Sequence, residues 1–344
     1  MVRTGLLLAI AAASSGCFTA RYLTQAAVGE YALLHDARPI GQVVKDPAVP
    51  RRTRQLLSQV PAIKSWGQSR GLKPTSNYTR YTDLHRPAAV WVVQACSPLA
   101  FEPRRWHFPI VGSVPYLGFF DAKEAQAYAQ TLEPDDLDVL VRGAAAFSTL
   151  GWFRDPVLSP MLSEGDDALG DLINVILHES VHATLYVPGQ SSFNESAASF
   201  VADAMTEELL VESFGPGGWQ TRAWLAAEAD GRKRVERLHQ VTQELDTLYR
   251  SDAPESHKRA RKAVILANLK AELGLRRIPN NAMLAGFLTY SAGSAAFPRL
   301  KAACGSWPRT LEALSALEPR DFAQPQQEAL DAVLDALAAR KCGP

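Results

Sequence analysis

The residues of this chain best spaced to do chemistry are His178, Glu179 and His182, in the run Ile176-Leu177-His178-Glu179-Ser180-Val181-His182. On a helix, residues four apart share a face with Cβ atoms about 5 to 6 Å apart, so His178 and His182 can present two imidazoles to one ion. Glu179 follows the first imidazole and would sit beside that ion, placed to take a proton from a metal-activated water. This is the mechanics of the H-E-x-x-H motif, and the pattern points to zinc-assisted hydrolysis.

Such a motif works only on a helix. Apolar residues recur at Leu169, Leu172, Ile173, Ile176 and Leu177, which is helical spacing. Ser163 and Asp166 are candidates to cap the start, and Pro188-Gly189 should stop the helix about a turn after His182. A catalytic zinc usually takes three protein ligands and leaves a fourth position for water. The metzincin continuation would put Gly at 185 and His at 188, where this chain has Leu185 and Pro188. In the gluzincin arrangement a Glu, typically preceded by Asn, comes from a second helix. Asn194-Glu195 fits it, with residues 183 to 194 long enough for a turn and a returning antiparallel helix. Glu195 is therefore the expected third ligand. Ser192 and Glu195 also have capping-box spacing, in which Glu195 would bond back to a backbone N–H at the helix start, and both readings can hold in part because the residue sits in the first turn either way. Asp203 and Glu207, further along, rank below Glu195 as ligands.

The 344 residues are 47% hydrophobic, enough for one large core or two smaller ones. Lys plus Arg equals Asp plus Glu at 36 each, so no global field draws the chain to nucleic acid or acidic lipid, and a nucleic-acid role has no compositional support. Met1-Val2-Arg3-Thr4 makes a short basic start, and Gly5 to Ala13 is apolar. That run is too short for the roughly 20 residues of a spanning helix and right for a secretory signal. Ser14-Ser15-Gly16-Cys17 looks like a bacterial lipobox, with Ser14 where Leu is usual. Residues 1–16 are accordingly expected to be a lipoprotein signal peptide, and Cys17 the lipidated residue that anchors the chain to a membrane. Cys304 and Cys342 flank the C-terminal segment and are the expected disulfide of an exported chain. Cys96, in an apolar run, is expected to be a buried thiol.

Strands are expected at about 78–85, 88–93, 106–116 and 137–142, and helices at about 22–33 and 56–68 and from Asp121. Beyond Gly218 the chain reads as helical over Trp219 to Tyr249, Ser256 to Leu275, Asn280 to Ala303, Thr310 to Leu317 and Pro325 to Lys341, the last with Pro at its first position. Phe147 to Trp152 reads equally as an ordinary core strand and turn or as an edge offered to a peptide by strand addition. The basic cluster 257–262 reads as a solvated helix face. The expected fold is α+β and zincin-like: a small sheet packed on the HExxH helix, with a mostly helical C-terminal half. Residues 17–344 would form one metallopeptidase domain, its catalytic segment at about 106–205 and its helical half at about 219–341.

The chain resembles the predicted-aminopeptidase family of bacterial lipoproteins, an HExxH group placed with the gluzincins. The resemblance is carried by WHFPIVGSVPYLGFFD (106–121), VRGAAAFSTLGWFRDPVLSPML (141–162), HESVHATLYVPGQSSFNESAASFV (178–201) and Asn280-Asn281-Ala282, with weaker similarity over most of the mature chain. Pro188 and Gln190 depart from it, where the family tends to have Lys and Asp, as does Ala202, where it tends to have an acidic residue. The resemblance implies Zn2+ on His178, His182 and Glu195, Glu179 as base and acid, a peptide substrate and a lipid-anchored periplasmic location. Exo action, as an aminopeptidase, rests on the resemblance alone. Candidates to stabilise the oxyanion are Tyr290, Tyr186 and Asn281. Tyr290 is favoured because such enzymes commonly use a Tyr from the helical half, and Asn281 is a candidate substrate contact. The alternative is a zinc-stabilised envelope binding module with little turnover. Glu179 argues against it, since a purely structural site has no use for a base beside the metal.

Overall fold

The computed structural model describes residues 2–108, 112–146, 154–288 and 295–343. The N-terminal half runs α1 (Val2–His35), β1 (Arg38–Pro39), α2 (Ile40–Val43), α3 (Arg51–Ser69), β2 (Arg80–Thr82), β3 (Val90–Cys96), β4 (Trp106–Phe108), β5 (Gly112–Val114), β6 (Leu117–Phe119), α4 (Ala122–Gln130), β7 (Asp138–Ala144) and β8 (Val157–Leu158). Helices follow: α5 (Ala168–Thr184), α6 (Ser191–Phe214), α7 (Trp219–Arg250), α8 (Glu255–Glu272), α9 (Asn281–Leu288), α10 (Ala296–Cys304), α11 (Trp307–Ser315) and α12 (Asp331–Lys341). This is a mixed helix-and-sheet fold with small sheets, consistent with the α+β expectation.

The central sheet has the order β6-β3-β7, with β3 antiparallel to both neighbours. Its two faces are taken by two different helices. Val93 and Ala95 pack with Leu117 and Phe119 against Ala125 and Ala129 of α4. Cys96, on the other face, meets Ala282 and Ala285 of α9. Asp121 starts α4 as expected, its Oδ1 accepting from the N–H groups of Lys123 and Glu124.

The faces of that sheet go to α4 and α9, while a second small sheet of order β1-β2-β8 contributes Tyr81, Val157 and Leu158 to the core that α5 joins. The main neighbours of α5 are the helices α6, α3 and α7. Leu172, Ile176, Leu177 and Val181 of α5 share one core with Leu57, Val60 and Ile63 of α3 and Phe193, Ala197 and Val201 of α6. The approach is close enough that a Cβ on Gly170 would fall 2.6 Å from the Trp224 ring of α7, so only glycine fits there. The α5 helix starts without a side-chain cap, so Ser163 and Asp166 do not serve as one, and it ends at Thr184 ahead of Pro188-Gly189.

In the C-terminal half, Pro325 does not open a helix. The chain stays irregular to Leu330 and α12 begins at Asp331. The expected helix over 280–303 is α9 and α10, separated by residues outside the described set. Phe147 to Trp152 and Tyr290 also lie outside the described residues. The basic cluster is more than a solvated face: Arg259 pairs with Asp136 and Glu255, and buried Lys262 pairs with Asp138 at the start of β7. Cys304 and Cys342 are bonded, with Cα atoms 4.5 Å apart, and Cys96 is a buried free thiol, both as expected.

Candidate metal centre

Helix α5 places the two imidazoles side by side, with Nε2 of His178 3.2 Å from Nε2 of His182. Glu195, near the start of α6, completes the group. Its Oε2 is 3.4 Å from His178 Nε2 and its Oε1 is 3.6 Å from His182 Nε2. A tetrahedral ion with bonds of about 2.0 to 2.2 Å holds its ligand atoms about 3.3 to 3.6 Å apart. One ligand atom from each of the three residues lies within 4.8 Å of the others, close enough to converge on one ion, and the donor set of two imidazoles and a carboxylate is one that divalent metals accept. Glu179 follows His178 on the same helix and is half-buried.

Glu195 reaches this place because the hairpin between α5 and α6 is pinned. The buried Asn194 accepts from the N–H of Val187 and donates to its C=O, both at 2.9 Å. These two bonds close the turn and fix where α6 begins. The C-terminal segment braces the same turn from outside: Gln190 donates to the Gln324 carbonyl at 2.8 Å and accepts from the Gln327 N–H at 3.0 Å. Gln326 donates its N–H to the Gly189 carbonyl at 2.9 Å, and its side chain accepts from the Ser191 N–H at 3.0 Å. Behind Glu195, Phe193 packs against Phe297 and Phe322, and Phe200 stacks on Phe297. The capping-box alternative is not realised, because α6 begins at Ser191 with no side-chain cap and the Glu195 carboxylate faces the imidazoles. Asp203 accepts from Asn174 of α5 at 2.8 Å and stands outside the trio.

The electrostatics follow from this geometry. Burial pushes the Glu195 carboxyl up, but the hydrogen bonds and charges of His178 and His182 outweigh it and hold it at about 2. Burial works against a charged His182, yet Glu195 and then Glu179 raise its pKa above the ordinary value. Nδ1 of His182 is buried and has no hydrogen-bond partner among the described residues.

Asn281 has a different task from the substrate contact expected of it. It is fully buried, its Oδ1 accepts from the Tyr249 hydroxyl at 2.8 Å, and its Nδ2 faces the carbonyls of Ser97, Pro98 and Ala100. Its amide holds the chain after β3 to the start of α9, which leaves no side-chain atom for a substrate. Tyr186 is 51% exposed, and Cys17 lies in α1. Sequence reasoning missed the braces. Asn194 carried a signal only as the residue before Glu195, and Gln190, Gln324, Gln326 and Gln327 carried none.

Two imidazoles and one carboxylate on a helical hairpin, with a second carboxylate next to the first imidazole, define a site able to hold a metal ion and a base beside it. The chain belongs to the family described as "Putative aminopeptidase", whose model matches residues 21–330. No curated protein and no solved structure matches the chain.

Proposed function

We propose that the protein is a zinc-dependent peptide hydrolase, an aminopeptidase lipid-anchored in the bacterial cell envelope. The observation that carries the metal assignment is the convergence of His178, His182 and Glu195, whose ligand atoms lie within 4.8 Å of one another. Family membership supports peptide hydrolysis.

Zinc, when bound, lowers the pKa of a coordinated water towards 7 and polarises a carbonyl. His178 and His182 would hold it as neutral imidazoles and Glu195 as an anion, a form its low pKa secures at any working pH. Glu179 accepts a proton from the attacking water as the new C–O bond forms. It then gives that proton to the amide nitrogen as the C–N bond breaks, so one carboxylate serves as base and acid in turn. The proposed anchor at Cys17 is supported by the lipobox-like sequence, and among the described residues no helix is long and apolar enough to cross a membrane.

Purified protein should contain about one zinc per chain, and protein prepared without chelators that holds no metal would sink the assignment. Glu179→Gln should keep zinc and lose cleavage of a peptide library, whose products also separate exo from endo action. A wild type that keeps its metal and cleaves nothing would instead favour the binding module. Radiolabelled palmitate should attach to wild type and not to Cys17→Ser; equal labelling of both would remove the anchor.

A further inference from the structure

Strand β6 is an edge of the central sheet, and side chains of α1 take the place of a further strand beside it. The Tyr22 hydroxyl accepts from the Gly118 N–H at 3.1 Å. Gln25 donates to the Gly118 carbonyl at 3.0 Å and accepts from the Phe120 N–H at 3.2 Å. These bonds cover the edge and hold α1 along it. The approach is close, since a Cβ on Gly29 would fall 2.0 Å from the Phe120 ring. Phe18 secures the start of this contact, its ring stacked on those of Tyr128 of α4 and Tyr22 with centroids 5.0 and 6.0 Å away.

The residue before Phe18 is Cys17, the proposed point of lipid attachment. A lipid there and a ring packed on the body at the next residue are one peptide unit apart, about 3.8 Å between Cα atoms. No tether separates them. A chain acylated at Cys17 is therefore held with the adjoining part of α1 at the bilayer surface, and the side of α1 turned away from β6 is what the lipids meet.

That side has the chemistry of a membrane contact. Ala20, Leu23, Ala27, Val28 and Tyr31 recur at helical spacing and are exposed, Val28 and Tyr31 by 63% and 67%. From Ala20 to Tyr31 the row is about 17 Å long. Among the exposed residues of 18–34 the one charge is Arg21, a cation that reaches Glu124 at 3.5 Å and suits anionic headgroups. Glu30 is turned inward, its Oε2 buried. A helix face meant for water is ordinarily charged and polar, whereas an apolar face with an aromatic residue fits the headgroup–acyl boundary. We infer that the outer face of α1 lies in that boundary of the membrane that holds the Cys17 lipid, a second contact that fixes the orientation of the protein on the bilayer. The inference rests on the lipid-anchor reading above.

Cys96 is buried and Cys304 is bonded to Cys342, so a cysteine introduced at the surface of the lipidated protein takes a nitroxide label alone. Val28→Cys and Tyr31→Cys place the label on the proposed face. Val264→Cys is the control, since Val264 is exposed on α8, which Lys262 ties to Asp138 of β7 at the opposite edge of the sheet. The full chains are reconstituted on vesicles of phosphatidylethanolamine and phosphatidylglycerol, and collisions with oxygen and with a water-soluble nickel chelate are read by electron paramagnetic resonance. Labels at 28 and 31 should sit about 5 to 10 Å into the boundary, rich in oxygen collisions and shielded from nickel, with the label at 264 in water. Labels at 28 and 31 as open to nickel as the one at 264 would overturn the inference. So would spin–spin broadening between them without oxygen access, which would mean that a second copy covers the face. Radiolabelled palmitate is followed in the same preparations. Wild type without palmitate removes the anchor and this inference together, whereas palmitoylated protein with its 28 and 31 labels in water removes this inference alone.

Discussion

Glu195 answers to two imidazoles at once, and that pairing decides what its loss would do. Glu195→Gln keeps the shape and removes the anion, so zinc affinity should fall by more than the 10- to 100-fold typical of residues that merely support ligands. Competition with a chelator measures it, and wild-type affinity would exclude Glu195 as a ligand. Glu30 of α1 makes the opposite case. Burial, then Asp155, raise its carboxyl from 4.5 to about 7. The unfolded chain loses that proton first, so the penalty on the fold is absent below the ordinary value and fully present above about 7. Glu30→Gln should then stabilise the protein at pH 8 by about 1 to 2 kcal/mol, after allowance for solvent screening, and leave it unchanged at pH 4. Thermal unfolding at the two pH values checks this. His178, Glu179 and His182 were legible because helical spacing binds them together in a short stretch, and Glu195 because Asn194-Glu195 follows far enough on for a returning second helix. Asn281 misled because a buried asparagine looks the same in sequence whether it meets a substrate or backbone carbonyls.

The hairpin of α5 and α6 is the element on which the site depends, and Asn194 is its clasp. Asn194→Ala leaves the buried N–H and C=O of Val187 without these bonds, an expected loss of about 2 to 4 kcal/mol by chemical denaturation. Zinc affinity should drop with it, because the register of Glu195 is set one residue away. Across the helix, Gly170→Val would drive a side chain into Trp224, and a cost of about 1 to 3 kcal/mol with displaced α7 is expected. Periodicity revealed α5 because its apolar stripe repeats at helical spacing. The same reasoning could not say which element would cover that stripe: the buried run Val90 to Cys96 reads as a core strand without showing that α4 and α9 already claim its faces. Pro325 was equally ambiguous. Proline suits a helix start and an irregular turn alike, and only the bonds to Gly189, Gln190 and Ser191 show that the segment serves the hairpin.

One core joins the beginning of the chain to its end, from Leu33 to Cys342. The Cys304–Cys342 bond spans a sequence separation of 38, which chain entropy values at about 4 kcal/mol. Reduction, or Cys342→Ser, should lower Tm accordingly and loosen zinc retention, because α10 and α12 flank the segment that holds the Gln190 turn. A Tm unchanged by reductant would show that the helices alone secure that end. The disulfide was legible from two cysteines flanking a terminal segment, whereas its mechanical link to the metal site emerges only with the fold.

That link orders the events of assembly. Every proposed ligand lies between residues 178 and 195, while the brace and the bridge come from residues 296 to 342. A chain that emerges N-terminus first completes the ligand hairpin before the segment that will lock it has been made. Contacts so close in sequence form in microseconds to milliseconds, whereas disulfide formation takes seconds to hours. If the trio holds zinc as proposed, loading can precede sealing, with the C-terminal segment acting as a latch over the filled hairpin.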